Sequence, residues 1–148
     1  MKRFYIIIIL TILTLGSLNS VQAQTGEELV NMCTELAEDA KYLKDYTVKL
    51  SGAAPGEDPP SQKKSLMLRK NTQYRFTICS SQDFPGRGIL KVYSSNKLLA
   101  SNYVENTGKM FPSVDIKVQK TGPYHLWVEF EDGKEGLAVV VLSFVKKL

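Results

Sequence analysis

The chain has 148 residues, of which 43% are hydrophobic, 9% aromatic and 23% charged, a balance that leaves room for one core and excludes the disordered, collagen-like and disulfide-dense classes. One histidine, two cysteines and no glycine-rich phosphate loop leave little material for the common catalytic and metal constellations. The net charge is +4, but the lysines alternate with acids along the chain instead of forming a block, which argues against nucleic acid as a partner.

The first segment reads as an export signal. Lys2 and Arg3 form a basic start, Phe4 to Leu15 is almost wholly apolar, and Val21-Gln22-Ala23 before Gln24 supplies the small-x-small pattern of a cleavage site. This places a signal peptide at residues 1–23. The apolar run is about a dozen residues, short of the ~20 that cross a bilayer. The later run from Leu137 to Val145 is shorter and is interrupted by Ser143. No membrane span is expected after cleavage, and the product is expected in the periplasm or outside the cell. The signal carries two of the 19 basic groups and none of the 15 acids, so the expected mature charge falls to about +2.

Residues 24–41 are expected to form an N-terminal helical segment. Leu29, Met32, Cys33, Leu36, Ala37 and Ala40 recur at three- and four-residue steps, with acids between them, which predicts an amphipathic helix from Glu27 to Lys41. Thr25 followed by Glu28 forms a capping-box pattern at its start.

From Tyr42 onward the period is 2, and residues 42–148 are expected to form one β domain. Tyr46, Val48 and Leu50 alternate with polar residues, and Gly52 to Lys64 reads as an exposed loop. Leu66 and Leu68 give a short strand, Lys70-Asn71 a turn with Asn71 left-handed, and Tyr74, Phe76 and Ile78 the inner face of the next strand. Further runs are Ile89 to Tyr93, Leu98 to Tyr103, Ser113 to Gln119, Pro123 to Phe130 and Leu137 to Val145. About eight antiparallel strands behind a single helix describe a mainly β sandwich or barrel. Parallel α/β architecture is excluded, because no helical pattern lies between the strands.

Between Tyr124 and Phe130 the alternation sends Tyr124, Leu126, Val128 and Phe130 inward and His125, Trp127 and Glu129 outward. A hairpin at Asp132-Gly133 would set Phe130 opposite Leu137 and Trp127 opposite Val140, which makes the outer face partly apolar and calls for a cover. Cys79 points outward in its strand and Cys33 lies on the apolar stripe of the helix. A Cys33–Cys79 disulfide would therefore staple the helix onto the sheet, and the helix is expected to bury Trp127.

No metal site is expected, since two cysteines and one distant histidine cannot complete a zinc shell. The loops Ser80 to Gly86 and Glu131 to Glu135 hold oxygen ligands, but neither has a calcium spacing. His125 has no recognisable nucleophile motif to serve, so no catalytic residue and no cofactor are expected. An exposed Trp127 flanked by His125 and Glu129 would instead suit stacking on a sugar.

The strings LMLRKNTQYRFTI (Leu66 to Ile78), ILKVYSSNKLL (Ile89 to Leu99) and TGPYHLWVEF (Thr121 to Phe130) resemble the bacterial pre-peptidase C-terminal domain across roughly Tyr42 to Val145. The resemblance implies a jelly-roll-like β-sandwich and a noncatalytic accessory role beside secreted hydrolases. The chain departs from that pattern in having Asn71 where a turn glycine is usual and in adding a helix with Cys33. The combined expectation is an exported, noncatalytic binding or structural module. Its alternatives are a carbohydrate-binding module centred on Trp127 and an accessory subunit docking a partner protein.

Overall fold

The structure, a computed structural model, describes residues 24–148, so the expected signal peptide lies outside the described residues. Helix α1 spans Gly26–Leu36 and is followed by β1 (Lys41–Leu50), β2 (Ser61–Leu68), β3 (Thr72–Ser80), β4 (Gly88–Ser94) and β5 (Lys97–Ser101). A small hairpin, β6 (Tyr103–Val104) and β7 (Lys109–Met110), precedes β8 (Ser113–Val118), β9 (Gly122–Phe130) and β10 (Gly136–Lys147).

The long strands form two four-stranded antiparallel sheets, ordered β1-β10-β3-β8 and β2-β9-β4-β5. Consecutive long strands change sheet at every link except β4 to β5, which is jelly-roll connectivity. The eight predicted runs are the eight long strands. Their inward residues meet in one core, in which Phe76, Leu90, Val92 and Val140 are fully buried and Leu68, Leu126 and Val128 nearly so. Asn71 adopts φ 57°, the left-handed turn conformation expected of it.

Three expectations need correction. The helix stops at Leu36 instead of Lys41, because Glu38 turns left-handed with φ 58° and the chain must reverse into β1. Ser61 to Lys64 is not loop. It pairs with Glu129 to Leu126 as the start of β2, a solvent-facing edge strand whose polar residues hide its alternation.

The third correction is topological. β9 and β10 do not form a hairpin, so Trp127 does not face Val140. A short 3-10 turn at Glu131–Gly133, with Asp132 and Gly133 both left-handed, carries the chain from one sheet to the other. Gly136 then opens β10 against the ring of Phe130, which a methyl there would run into. β10 runs between β1 and β3, with Ala138, Val140 and Leu142 in the main core and Val139 and Val141 on the outside. A strand apolar on both faces is one that is buried on both faces.

Helix α1 supplies that outer cover. Leu29 and Cys33 pack with Cys79, Val139 and Val141 in a second apolar cluster, separate from the main core. Cys33 and Cys79 are disulfide-bonded, with a Cα–Cα distance of 5.6 Å, as the helix stripe and strand parity predict. The capping box forms, Thr25 Oγ1 accepting from the Glu28 amide and the Glu28 carboxylate from the Thr25 amide. The far end is tied by Arg75, whose Nη1 donates to the Ala37 carbonyl at 3.1 Å and whose Nε and Nη2 grip Asp115 at 2.7 and 3.1 Å.

The Arg75 hydrogen bond holds the Asp115 carboxyl below its ordinary value of 3.8, against the effect of burial and with help from the Gln73 amide. A carboxylate whose folded value is depressed stabilises the fold above its unfolded value and ceases to as pH falls through the folded one. Asp115→Asn is thus expected to cost a few tenths to about 1 kcal/mol at neutral pH. The gap to the parent should close below pH 3.8, which urea titrations at several pH values will read.

Candidate functional site

The two outer faces of the sandwich differ. Helix α1 covers β10 and β3, whereas no described element packs over the middle of the β2-β9-β4-β5 sheet. Trp127 lies on this uncovered face and is half-buried, so the expectation that the helix buries it is overturned. The helix and Trp127 sit on opposite sides of the molecule because β9 and β10 belong to different sheets.

Register places the neighbours of Trp127. On one side β2 sets Lys63 opposite Trp127 and Ser65 opposite His125, and on the other β4 sets Lys91 opposite Trp127 and Tyr93 opposite His125. The Lys63 Nζ stands 3.7 Å from the centroid of the Trp127 ring, a cation–π contact. Tyr93 packs on the same indole with centroids 4.9 Å apart and planes tilted by 42°. Lys91 Nζ donates to Glu129 at 2.6 Å. Burial alone would lower the Lys91 ammonium, but the Glu129 carboxylate more than offsets it and holds the group above its ordinary value. Exposed Met67 opposite Pro123 and exposed Leu98 opposite Tyr93 extend the face toward one end.

The three residues singled out from the alternation, Trp127, His125 and Glu129, therefore share one face. Lys63, Ser65, Lys91 and Tyr93 complete it and were not identified from sequence. Parity within each strand marks them as outward, but only the pairing of β9 with β2 and β4 brings them to Trp127.

One contact bears on chemistry. Ser65 Oγ and His125 Nδ1 are 2.9 Å apart, so the histidine does have a hydroxyl partner. Ser65 lies mid-strand and not on a sharp turn, and among the described residues no carboxylate bonds the other imidazole nitrogen. A nucleophile of this kind needs that orienting group and N–H donors aimed at a developing oxyanion. The acids further along the chain are paired separately, Glu129 with Lys91 and Glu131 with Arg87 at 2.7 Å. Among the described residues no three His, Cys, Asp or Glu side chains cluster to hold a metal ion, and no helix is long and apolar enough to cross a membrane.

A cleft of about 390 Å³ opens at the end of the sandwich formed by the β3–β4 loop, between Ile78, Phe84, Phe111 and Arg87. Of its buried polar residues, Ser81 accepts from the Asp83 amide and Asn102 is fully used in the fold. Its Oδ1 accepts from the Leu90 amide and its Nδ2 donates to the carbonyls of Gly88 and Phe111. Arg87 is committed to Glu131.

No protein-family model matches this sequence, and no curated protein matches it. The fold itself is shared: the crystal structure of PliG from Aeromonas hydrophila, a periplasmic lysozyme inhibitor of g-type lysozyme, is similar with a TM-score of 0.51 at 9% identity, over 72% of this chain and 89% of that one.

Proposed function

We propose that this chain is an exported, noncatalytic protein-binding module that docks its partner on the outer face of the β2-β9-β4-β5 sheet. The observation that carries this is the unequal treatment of the two outer faces. One is sealed by a disulfide-stapled helix, while the other leaves Trp127 and Tyr93 half-exposed among Lys63, Lys91 and Met67. Tryptophan and tyrosine in a rim of charge are the usual anchors of protein interfaces.

A protein partner fits this face better than a sugar. Stacking of a pyranose needs a free indole face, and the Lys63 ammonium stands over one face while Tyr93 packs beside it. A carboxylate from a partner could draw Lys63 off the ring and pair with it. The fold shared with PliG supports the reading, since that protein is named as an inhibitor of g-type lysozyme. The resemblance to pre-peptidase C-terminal domains points the same way. A disulfide fits an oxidising compartment.

The test is a binding titration of residues 24–148 against a panel of lysozymes, the g-type first, with a glycan array in parallel. Trp127→Ala is expected to weaken protein binding by about 2 kcal/mol, roughly thirtyfold, with no change in melting temperature beyond a few degrees. Tyr93→Ala should give a smaller loss in the same direction. Glycan binding that Trp127→Ala abolishes, with no lysozyme bound, would transfer the site to the carbohydrate reading.

A further inference from the structure

We propose that the end of the sandwich formed by the β2–β3, β4–β5 and β8–β9 turns is a cationic pole that docks on the headgroup phosphates of an anionic lipid bilayer. The ladders gather these turns. Thr72 pairs with both Val118 and Lys147, Leu68 pairs with Gly122, and Ser94 pairs with Lys97. The Asn71 amide donates to the Val118 carbonyl at 2.8 Å, the Leu148 amide to the Asn71 carbonyl at 2.9 Å, and the Lys70 amide to Thr121 Oγ1 at 2.9 Å.

Arg69, Lys70, Lys97, Lys117, Lys120, Lys146 and Lys147 all lie in these segments and are all exposed. No Asp or Glu occurs in 69–71, 94–99, 117–124 or 144–148. Lys97, Lys117 and Lys120 open onto a cleft of about 350 Å³ with Leu99 and Tyr124, and a smaller one of about 140 Å³ adjoins it at Ser94, Lys120 and Tyr124. Among the described residues none of these three lysines takes part in an ion pair.

The loops of the opposite end carry the reverse sign. Glu57, Asp58, Asp83, Glu105, Glu131, Asp132 and Glu135 outnumber Arg87, Lys109 and Lys134 there. The chain is thus polarised along its length, although Glu38 and Asp39 enter β1 at the cationic end, where Lys41 pairs with Phe144 and Glu38 with Arg75, and an anionic plane would orient it with the lysines down. Exposed apolar side chains stand among the lysines: Leu99 is 39% exposed and Leu148 54%. A soluble polyanion would leave these unused, whereas a bilayer interface takes both the cations and the shallow apolar groups. This pole is distinct from the Trp127 face.

The experiment is co-sedimentation of residues 24–148 with phosphatidylglycerol–phosphatidylcholine vesicles and with phosphatidylcholine vesicles alone. Binding is expected only to the anionic vesicles and should fall as salt rises. Each cation near such a surface multiplies affinity about fivefold, so Lys97→Glu/Lys120→Glu should weaken binding by about thirtyfold or more. Lys109→Glu/Lys134→Glu makes the same change in net charge at the other end and should leave binding within about twofold. Should the first pair fail to fold by circular dichroism, Lys117→Glu/Lys146→Glu replaces it with the same expectation. Equal losses in both double variants, no binding to anionic vesicles at low salt, displacement by inorganic phosphate at matched ionic strength, or equally tight binding to soluble polyphosphate would each overturn the proposal.

Discussion

Replacing Cys33 and Cys79 together by alanine is expected to lower the unfolding free energy by about 2–4 kcal/mol and to release helix α1 before the sandwich melts. The bond closes a loop of 46 residues that contains β1, β2 and most of β3, for which loop-closure entropy gives about 4 kcal/mol. Helix α1 has 11 residues, too few to persist alone in water, so it depends on its docking. That docking rests on Leu29, Cys33 and the outer side of β3 and β10, a cluster separate from the main core. Native-state hydrogen exchange should therefore show α1 amides losing protection in the double variant while β3 and β10 keep theirs. Cys33 is 0% and Cys79 4% exposed, so a reductant acts on the parent chain only after α1 opens. A loss under about 1 kcal/mol with α1 still protected would mean that packing alone holds the helix.

The same cluster shows how far the residues could be read before the fold was known. Alternation identified the inward faces of β1, β2, β3 and β9, and parity placed Cys79 and Trp127 outside. What parity lacks is pairing. Leu137 to Leu142 is apolar at every position, so its neighbours cannot be inferred from its own pattern, and sequence proximity argued for a hairpin with β9. The link through Asp132-Gly133 crosses between sheets instead, and with it the helix moved to the face opposite Trp127.

Lys63 was missed for a related reason. Ser61 to Lys64 contains no apolar residue, since its outward positions meet water and its sheet edge is open. The run from Leu98 to Tyr103 makes Asn102 a strand residue, yet it braces β4 against the segment entering β8 through three hydrogen bonds. The turn signal Asn106-Thr107-Gly108, with Gly108 at φ 68°, marks the small hairpin that it anchors. The cationic pole is a property of topology alone. Its residues are spread from Arg69 to Lys147 among acids, and only the jelly-roll winding gathers them at one end.

Phe76→Ala is expected to be the most damaging single truncation, at about 3–5 kcal/mol. Phe76 sits at the middle of β3 between Val114 on β8 and Leu142 on β10, and is 0% exposed. Its ring joins the shared core between the sheets, so removing it leaves a void that strands paired on both sides cannot close. A domain of this size is stabilised by only about 5–15 kcal/mol in total, so the variant should melt roughly 10–20 °C lower even with the disulfide intact. Phe111→Ala is the matched control. That ring is 40% exposed and belongs to neither apolar cluster, and its loss should cost under about 1 kcal/mol. Urea unfolding of the two variants, followed by circular dichroism, separates the cases. A Phe76 effect no larger than that of Phe111 would mean that the two sheets do not share a common interior, and the assignment of Trp127 to the opposite outer surface would fall with it.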